Sequence, residues 1–367
     1  MFKNNLNQTI PVGVDMQQSI HTISTMDVYN ILQDISASKL VIDLRKKKDF
    51  EQCHIKTAVN IPPPVEDGQD LIQKLNIHKY IGSNVTAKYW NLVFQRIIVY
   101  TDHPFQYDMD YMNKLNYDTF PNTLEQNIKV QDWSKALLEY FVSKRKTTLV
   151  YVYQGGFESF HRHYPFICLN VNQKPDTELY PTEIIEGFLY LGGKETSNCR
   201  KQLMNLKITY IVNMAKELND IYGHIYKYYR ADLDDHPKAD QKMLQQFEAI
   251  FQFMDECKKN GERVLVHCAM GISRSATVVI AYLMKEYAMD YNTAFKFVKS
   301  KRSIISPNFG FNKALKDFDK QLQTQRLKQQ QICNNTVSAT SVQQQQQQPP
   351  MVILPISNTS PPVQSSL

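Results

Sequence analysis

The stretch Val264 to Met284, VLVHCAMGISRSATVVIAYLM, restricts the possible folds more than any other part of the chain. A short apolar run breaks at His267-Cys268 into a turn of small and polar residues, and apolar residues then recur at helical spacing. Strand, tight loop and helix in that order are half of a βαβ unit, so the segment belongs in a parallel sheet covered by helices. A structural cysteine would sit inside the strand or on the helix's apolar face. Cys268 instead precedes Gly271, Ser273, Arg274 and Ser275, a setting for chemistry.

The remaining sequence alternates in the same way. KLVIDLR (39–45), RIIVYTD (96–102) and TTLVYVYQGGF (147–157) are short apolar runs ending in polar residues and predict buried strands. TMDVYNILQDI (25–35), with Val28, Ile31, Leu32 and Ile35 at helical spacing, and DWSKALLEYFVSK (132–144) predict helices. They define a first α/β domain at 23–169 behind a polar leader, 1–22, expected to be disordered. A polar linker carrying Pro175 and Pro181, 170–181, leads into a second α/β domain at 178–325. Its predicted strands are GFLYLGG, ITYIVNMA, IYKYYRADL and RVLVHC; its predicted helices are 241–260, 275–287 and 291–301. The Gln/Pro/Ser-rich tail, 326–367, is expected to be disordered. A chain of 367 residues is long enough for two such cores.

Lysine and arginine number 42 against 36 acidic residues, an excess of six without the arginine-rich runs of a nucleic-acid binder. Six cysteines are scattered without C-x-x-C pairs, which argues against a zinc site or a disulfide framework and for a reducing compartment, cytoplasmic and also nuclear. No signal-peptide core is visible, and no stretch approaches the roughly 18 apolar residues that a membrane span requires. Neither nucleic acid nor membrane is an expected partner.

At the loop, the backbone N–H groups of Ala269, Met270, Gly271, Ile272, Ser273 and Arg274 can converge on one point, with the positive end of the following helix aimed at it. That geometry binds a tetrahedral oxyanion, and the same field lowers a thiol's pKa from its free value of about 8.5. Gly271 permits the positive φ that such a curl requires. Arg274 offers a planar fork for two phosphate oxygens, which lysine cannot match.

The run His267-Cys268-x-x-Gly271-x-x-Arg274-Ser275 resembles the P-loop signature of the protein tyrosine phosphatases, and GISRSATVVIAYLM is similar to the dual-specificity branch. The resemblance extends over 178–325 through YPTEIIEGFLYLGG, LKITYIVNMA and SKRSIISPNFGF. It implies a metal-free and cofactor-free reaction in two steps: Cys268 attacks phosphorus, and water hydrolyses the phosphocysteine. Arg274 would bind the phosphate, Ser275 would hydrogen-bond the departing thiolate, and His267 would hold the loop and tune the thiol. The leaving oxygen needs a proton. YRADLDDHPKAD offers Asp232, Asp234, Asp235 and Asp240, of which family spacing favours Asp235, with Asp234 next. Asn308 is expected to form a turn that braces the loop, and Tyr282 and Met284 to be core. The expected substrates are phosphorylated proteins carrying phosphotyrosine, with phosphoserine and phosphothreonine as further candidates. The neutral loop residues disfavour a phosphoinositide, and intact Cys268 and Arg274 disfavour a purely phosphate-binding adaptor.

In the first domain, KLVIDLRKKKDFEQCHIKTAVNIP resembles the rhodanese fold through Asp43-x-Arg45, His54-Ile55 and Ala58-x-Asn60-Ile61-Pro62. Between His54 and Ile167 there is no cysteine, so the module is expected to be non-catalytic. QGGFESFHRHYPFIC resembles the rhodanese module of the MAP kinase phosphatases, which implies a MAP kinase partner. Those proteins dock it through a basic cluster after the NIP segment, where this chain carries Glu66, Asp67 and Asp70. The nearest basic run is Arg45 to Lys48.

Overall fold

The computed structural model describes residues 20–62, 93–102, 134, 137, 138, 141 and 148–345. Both expected domains are present, and the chain up to Phe318 forms one compact unit. The first domain is built on a parallel sheet of β1 (His21–Ile23), β2 (Lys39–Asp43), β4 (Ala58–Asn60), β5 (Arg96–Tyr100) and β6 (Leu149–Tyr153), in the order β1-β6-β5-β2-β4. A short β3 (His54–Ile55) pairs antiparallel with β7 (Cys168–Leu169). Helices α1 (Thr25–Gln33), α2 (Lys47–Gln52) and α3 (Gly156–His163) accompany the sheet. The central strands β5 and β6 are buried at four of their five residues, which is why they read as continuous apolar runs.

Two expectations change here. The leader does not extend to residue 22: Ile20 is buried, and β1 pairs with β6 across some 130 residues of sequence, a partner that a three-residue strand cannot announce locally. Helix α1 is capped by Ser24 and Asp27 but ends at Gln33, so Ile35 falls outside its apolar face and is 74% exposed. Of the helix expected over 132–144, only Ser134, Leu137, Leu138 and Phe141 are described, all helical and the last three buried. Glu66, Asp67 and Asp70 lie outside the described residues.

The second domain carries β8 (Thr182–Ile185), β9 (Leu189–Gly192), β10 (Tyr210–Ala215), β11 (Lys227–Leu233) and β12 (Val264–His267), in the order β11-β10-β12-β9-β8. β8 runs antiparallel to β9, and the other pairings are parallel. The helices are α4 (Lys194–Ser197), α5 (Arg200–Asn205), α6 (Asp240–Lys259), α7 (Arg274–Glu286), α8 (Tyr291–Lys301) and α9 (Phe309–Gln345). α6 buries Met243, Phe247, Ile250, Phe251, Met254 and Cys257, one stripe at helical period. α7 is buried from Arg274 through Met284, so Tyr282 and Met284 are core as expected. α9 extends past residue 325, and residues 346–367 of the tail lie outside the described residues. Arg326 to Gln331, RLKQQQ, are good helix formers, and no proline stands between them and Pro349.

Helix α1 of the first domain lies against β8 of the second. The Asn30 side chain donates to the Glu183 carbonyl (2.8 Å) and accepts from the Glu183 N–H (2.9 Å), as a neighbouring strand would. Tyr29 donates its hydroxyl to the Pro181 carbonyl (2.7 Å), and Lys301 Nζ pairs with Asp27 at 2.5 Å. The buried Glu183 carboxylate accepts from Tyr164 of the first domain and from Tyr190 (2.8 Å).

Candidate active site

β12 lies at the middle of its sheet, between β10 and β9, and delivers Cys268 to the start of the loop 268–273. The loop is held open from outside. Lys194 N–H donates to the Ala269 carbonyl (3.0 Å), Arg302 donates to the carbonyls of Met270 (3.2 Å) and Gly271 (2.9 Å), and Ser306 N–H donates to that of Ile272 (2.9 Å). In a trans peptide the N–H points opposite to the C=O, so engaging these four carbonyls outward turns the N–H groups of residues 270–273 inward. Gly271 has φ +70°, and a Cβ there would stand 2.5 Å from the Gly192 carbonyl, so both conformation and space require glycine.

Cys268 is 1% exposed. Its Sγ accepts from the Gly271 N–H (3.3 Å) and the Ser275 hydroxyl (3.2 Å). Burial works against a thiolate, but the hydrogen bonds from Ser275 and Gly271, with the charge of Arg274, outweigh it and hold the thiol below its ordinary value. His267 is buried on β12, and burial pushes its imidazole down to about 4, so it is neutral at physiological pH.

Arg274 is buried at the start of α7. Nη1 donates to Glu217 (2.7 Å) and to the Leu233 carbonyl (3.0 Å), and Nη2 donates to the other Glu217 oxygen (2.6 Å). Of the five N–H bonds of a guanidinium these take three. The two left over, on Nε and Nη2, share one edge of the fork, and the buried Nε has no hydrogen-bond partner among the described residues. A buried, charged donor edge without a hydrogen-bond partner, beside an inward-turned amide loop, is built for an oxyanion.

Asp235 reaches the same place. Its Oδ1 accepts from the Ser273 hydroxyl (2.8 Å) and from Asn308 Nδ2 (2.9 Å), and its Oδ2 is 3.4 Å from Arg274 Nε. Asp234 points away, exposed, 3.7 Å from Lys216. Asp232 pairs with Arg230 (2.6 Å) and Asp240 with Lys313 (2.6 Å). Asn308 does brace the loop, and it also accepts from Phe311 N–H (3.0 Å), capping α9. Next to it, a Cβ on Gly310 would overlap the Pro237 carbonyl, so glycine lets α9 press against the segment that carries Asp235. The sequence reading missed Glu217 and Arg302. Glu217 is 57 residues from Arg274 and carried no local signal, whereas Arg302 lies within SKRSIISPNFGF, a segment already singled out.

In the first domain Asp43 and Arg45 form a buried pair (2.8 Å), with Tyr100 donating to Asp43 (2.6 Å) and the guanidinium 3.6 Å from the centroid of the Phe157 ring. Arg45 is therefore withdrawn from the basic run, which reduces to the exposed Lys46, Lys47 and Lys48. Among the described residues no group of His, Cys, Asp and Glu could hold a metal ion, and no helix is long and apolar enough to cross a membrane.

Residues 189–321 match the family model of the dual specificity phosphatase catalytic domain, and residues 25–163 match the rhodanese-like domain. Over 347 residues the chain is 49% identical to a Dictyostelium discoideum protein, a probable rhodanese domain-containing dual specificity protein phosphatase, covering 85% of this chain and 72% of that one. The chain belongs to the rhodanese domain-containing dual specificity protein phosphatases. This phosphatase is thus an enzyme of a family that acts on phosphorylated proteins. It is also 36% identical over 203 residues to dual specificity protein phosphatase 1 of Mus musculus, covering 48% of this chain and 54% of that protein. A crystal structure of human DUSP28 aligns at 29% identity over 38% of this chain and 93% of that chain, with a TM-score of 0.36.

Proposed function

We propose that Cys268 is the nucleophile, Arg274 the phosphate-binding group and Asp235 the general acid and base in hydrolysis of phosphotyrosine, and of phosphoserine and phosphothreonine, in proteins. The observation that carries this reading is the Nε edge of Arg274, which has no hydrogen-bond partner among the described residues and stands beside a stabilised Cys268 sulfur, 3.4 Å from the Asp235 carboxylate. In the first step the sulfur forms an S–P bond, the P–O bond to the side chain breaks, and the Asp235 carboxylic acid gives its proton to the leaving oxygen. Water then attacks phosphorus, Asp235 takes its proton, and sulfur leaves as a thiolate that the Ser275 hydroxyl stabilises. The amides of residues 269 to 274 hold the three non-bridging oxygens. Ala269, Met270, Ile272 and Ser273 add no charge, which suits a singly phosphorylated side chain better than a polyanionic lipid headgroup. A reducing compartment, cytoplasm or nucleus, suits a thiolate nucleophile and the five free cysteines among the described residues.

Asp235→Ala is expected to lower kcat on a phosphotyrosine peptide by about 10² or more with KM nearly unchanged. Wild-type turnover in that variant, with the loss appearing in Asp234→Ala, would transfer the role to Asp234.

For the rhodanese-like module we propose a MAP kinase as partner, engaged through Lys46, Lys47 and Lys48, which remain exposed after Arg45 has paired internally. Charge reversal of the three lysines to glutamate in the full chain is expected to weaken kinase binding about tenfold at low salt. Unchanged affinity in a titration would remove the lysines from the docking surface.

A further inference from the structure

Four large apolar side chains stand exposed around one cleft beside the catalytic loop. Ile35 is 74% exposed and Met270 65%, while Leu179 and Ile304 are 39% and 37% exposed. The cleft has a volume of about 390 Å³ and is shared by both domains. Ile35 lies just beyond α1 of the rhodanese-like domain, Leu179 lies in the connection between the domains, and Ile304 follows Arg302. Met270, Ala269 and Ile272 of the P-loop form one wall, so the cleft is continuous with the phosphate-binding loop, and Lys194, Lys301 and Arg302 are among its polar lining.

The position of this wall is fixed. Asp34, adjacent to Ile35, accepts from Arg96 (2.8 Å) and from the Ser303 hydroxyl (3.1 Å), and Ser36 is hydrogen-bonded to Ser303 (2.9 Å). Ile35 is therefore bracketed by contacts to the segment whose Arg302 supports the P-loop. An exposed isoleucine held rigidly has lost its chain entropy without gaining burial, and a partner that covers it gains apolar contact at little further ordering cost.

We infer that this cleft is a substrate subsite in which the rhodanese-like domain takes part, receiving an apolar side chain that flanks the phosphorylated residue of a protein substrate. The inference rests on the reading of Cys268 as the nucleophile and adds a sequence preference to it. A phosphoprotein bound at Cys268 must lay its neighbouring residues over the loop's rim, and on this side the rim offers aliphatic surface. Leucine, isoleucine, methionine or phenylalanine fits that surface; a carboxylate gains no buried, unengaged cation there, because Lys301 is paired with Asp27, Arg302 with the carbonyls of Met270 and Gly271, and Lys194 stands at the solvent edge beside Glu195.

The test uses the full chain and a set of phosphotyrosine peptides otherwise composed of glycine and serine. Leucine or glutamate is placed in turn at each of the three positions on either side of the phosphotyrosine. For at least one position kcat/KM is expected to favour leucine about tenfold. In Ile35→Glu and in Leu179→Ser that preference is expected to fall to near parity, while turnover of para-nitrophenyl phosphate, too small to reach the cleft, stays at the wild-type rate. Equal rates on all peptides in the wild type, or an undiminished preference in both variants, would overturn the inference. So would faster turnover of every peptide in Ile35→Glu, which would mean that something other than substrate fills the cleft. Loss of para-nitrophenyl phosphate turnover in both variants would also overturn it, because the side chains would then serve the fold. Undiminished para-nitrophenyl phosphate turnover in Cys268→Ser would strike the underlying reading instead.

Discussion

Cys268→Ser is expected to lower turnover of both para-nitrophenyl phosphate and phosphotyrosine peptide by at least about 10⁴, while phosphate and substrate still bind. Serine occupies nearly the same volume in a site that is 1% exposed, so the loop should keep its shape. What it loses is ionisation. The hydrogen bonds from Ser275 and Gly271 and the charge of Arg274 hold the thiol below its ordinary value, but no comparable field brings an alcohol into range. The sign of that shift gives a second readout. A thiol lowered by its surroundings is already ionised below about pH 8.5, so the rate of iodoacetate alkylation should rise with pH along a limb lying below that value. Ser275→Ala, which removes one of the two donors, should move the limb upward. A wild-type limb at or above the free-thiol value would contradict the arrangement. Because Cys268→Ser keeps the anion cradle, it should also retain substrate, and capture from lysate would then report which phosphoproteins the site accepts.

Arg274→Lys is the second large effect, expected to reduce kcat/KM by roughly 10³ despite keeping the charge. The guanidinium does two things at once. One edge is held bidentately by Glu217, with Leu233 taking a further N–H, and this aims the opposite Nε–Nη2 edge into the loop. Lysine supplies a point charge that can satisfy Glu217 or the phosphate, and not both in a fixed plane. Inhibition by vanadate should weaken in parallel with kcat/KM, since both read the same fork. Activity within tenfold of wild type would show that charge alone is sufficient.

Much of this site is written in contiguous sequence. Strand β12, the loop and α7 are neighbours in the chain, so VLVHCAMGISRSATVVIAYLM contains the nucleophile, the anion-binding amides and Arg274 together. Asp235 could be selected because it ends a strand at the family's spacing, and the structure brings it to Ser273, Asn308 and Arg274. The supports were less legible. Glu217 follows a different strand, and nothing in its surroundings distinguishes it from a solvated carboxylate. Arg302 works through its contacts with main-chain carbonyls, which have no sequence signature. The same physics explains the shorter leader. β1 exists because β6 is there to receive it. Arg45 read as part of a basic surface run because a buried ion pair and a surface charge are spelled with the same letter.

The two hydrogen bonds between Asn30 and Glu183 carry a consequence for the protein as a polymer among other polymers. β8 is the last strand of its sheet, and the outward N–H and C=O of Glu183 are what an unpaired strand offers to any extended chain that passes. A single amide side chain from α1 occupies both groups. Severed from its amino-terminal half, the phosphatase would carry a bare β-edge, free to zip against the same edge on another copy. In the intact chain the contact from α1 of the rhodanese-like domain keeps that edge occupied.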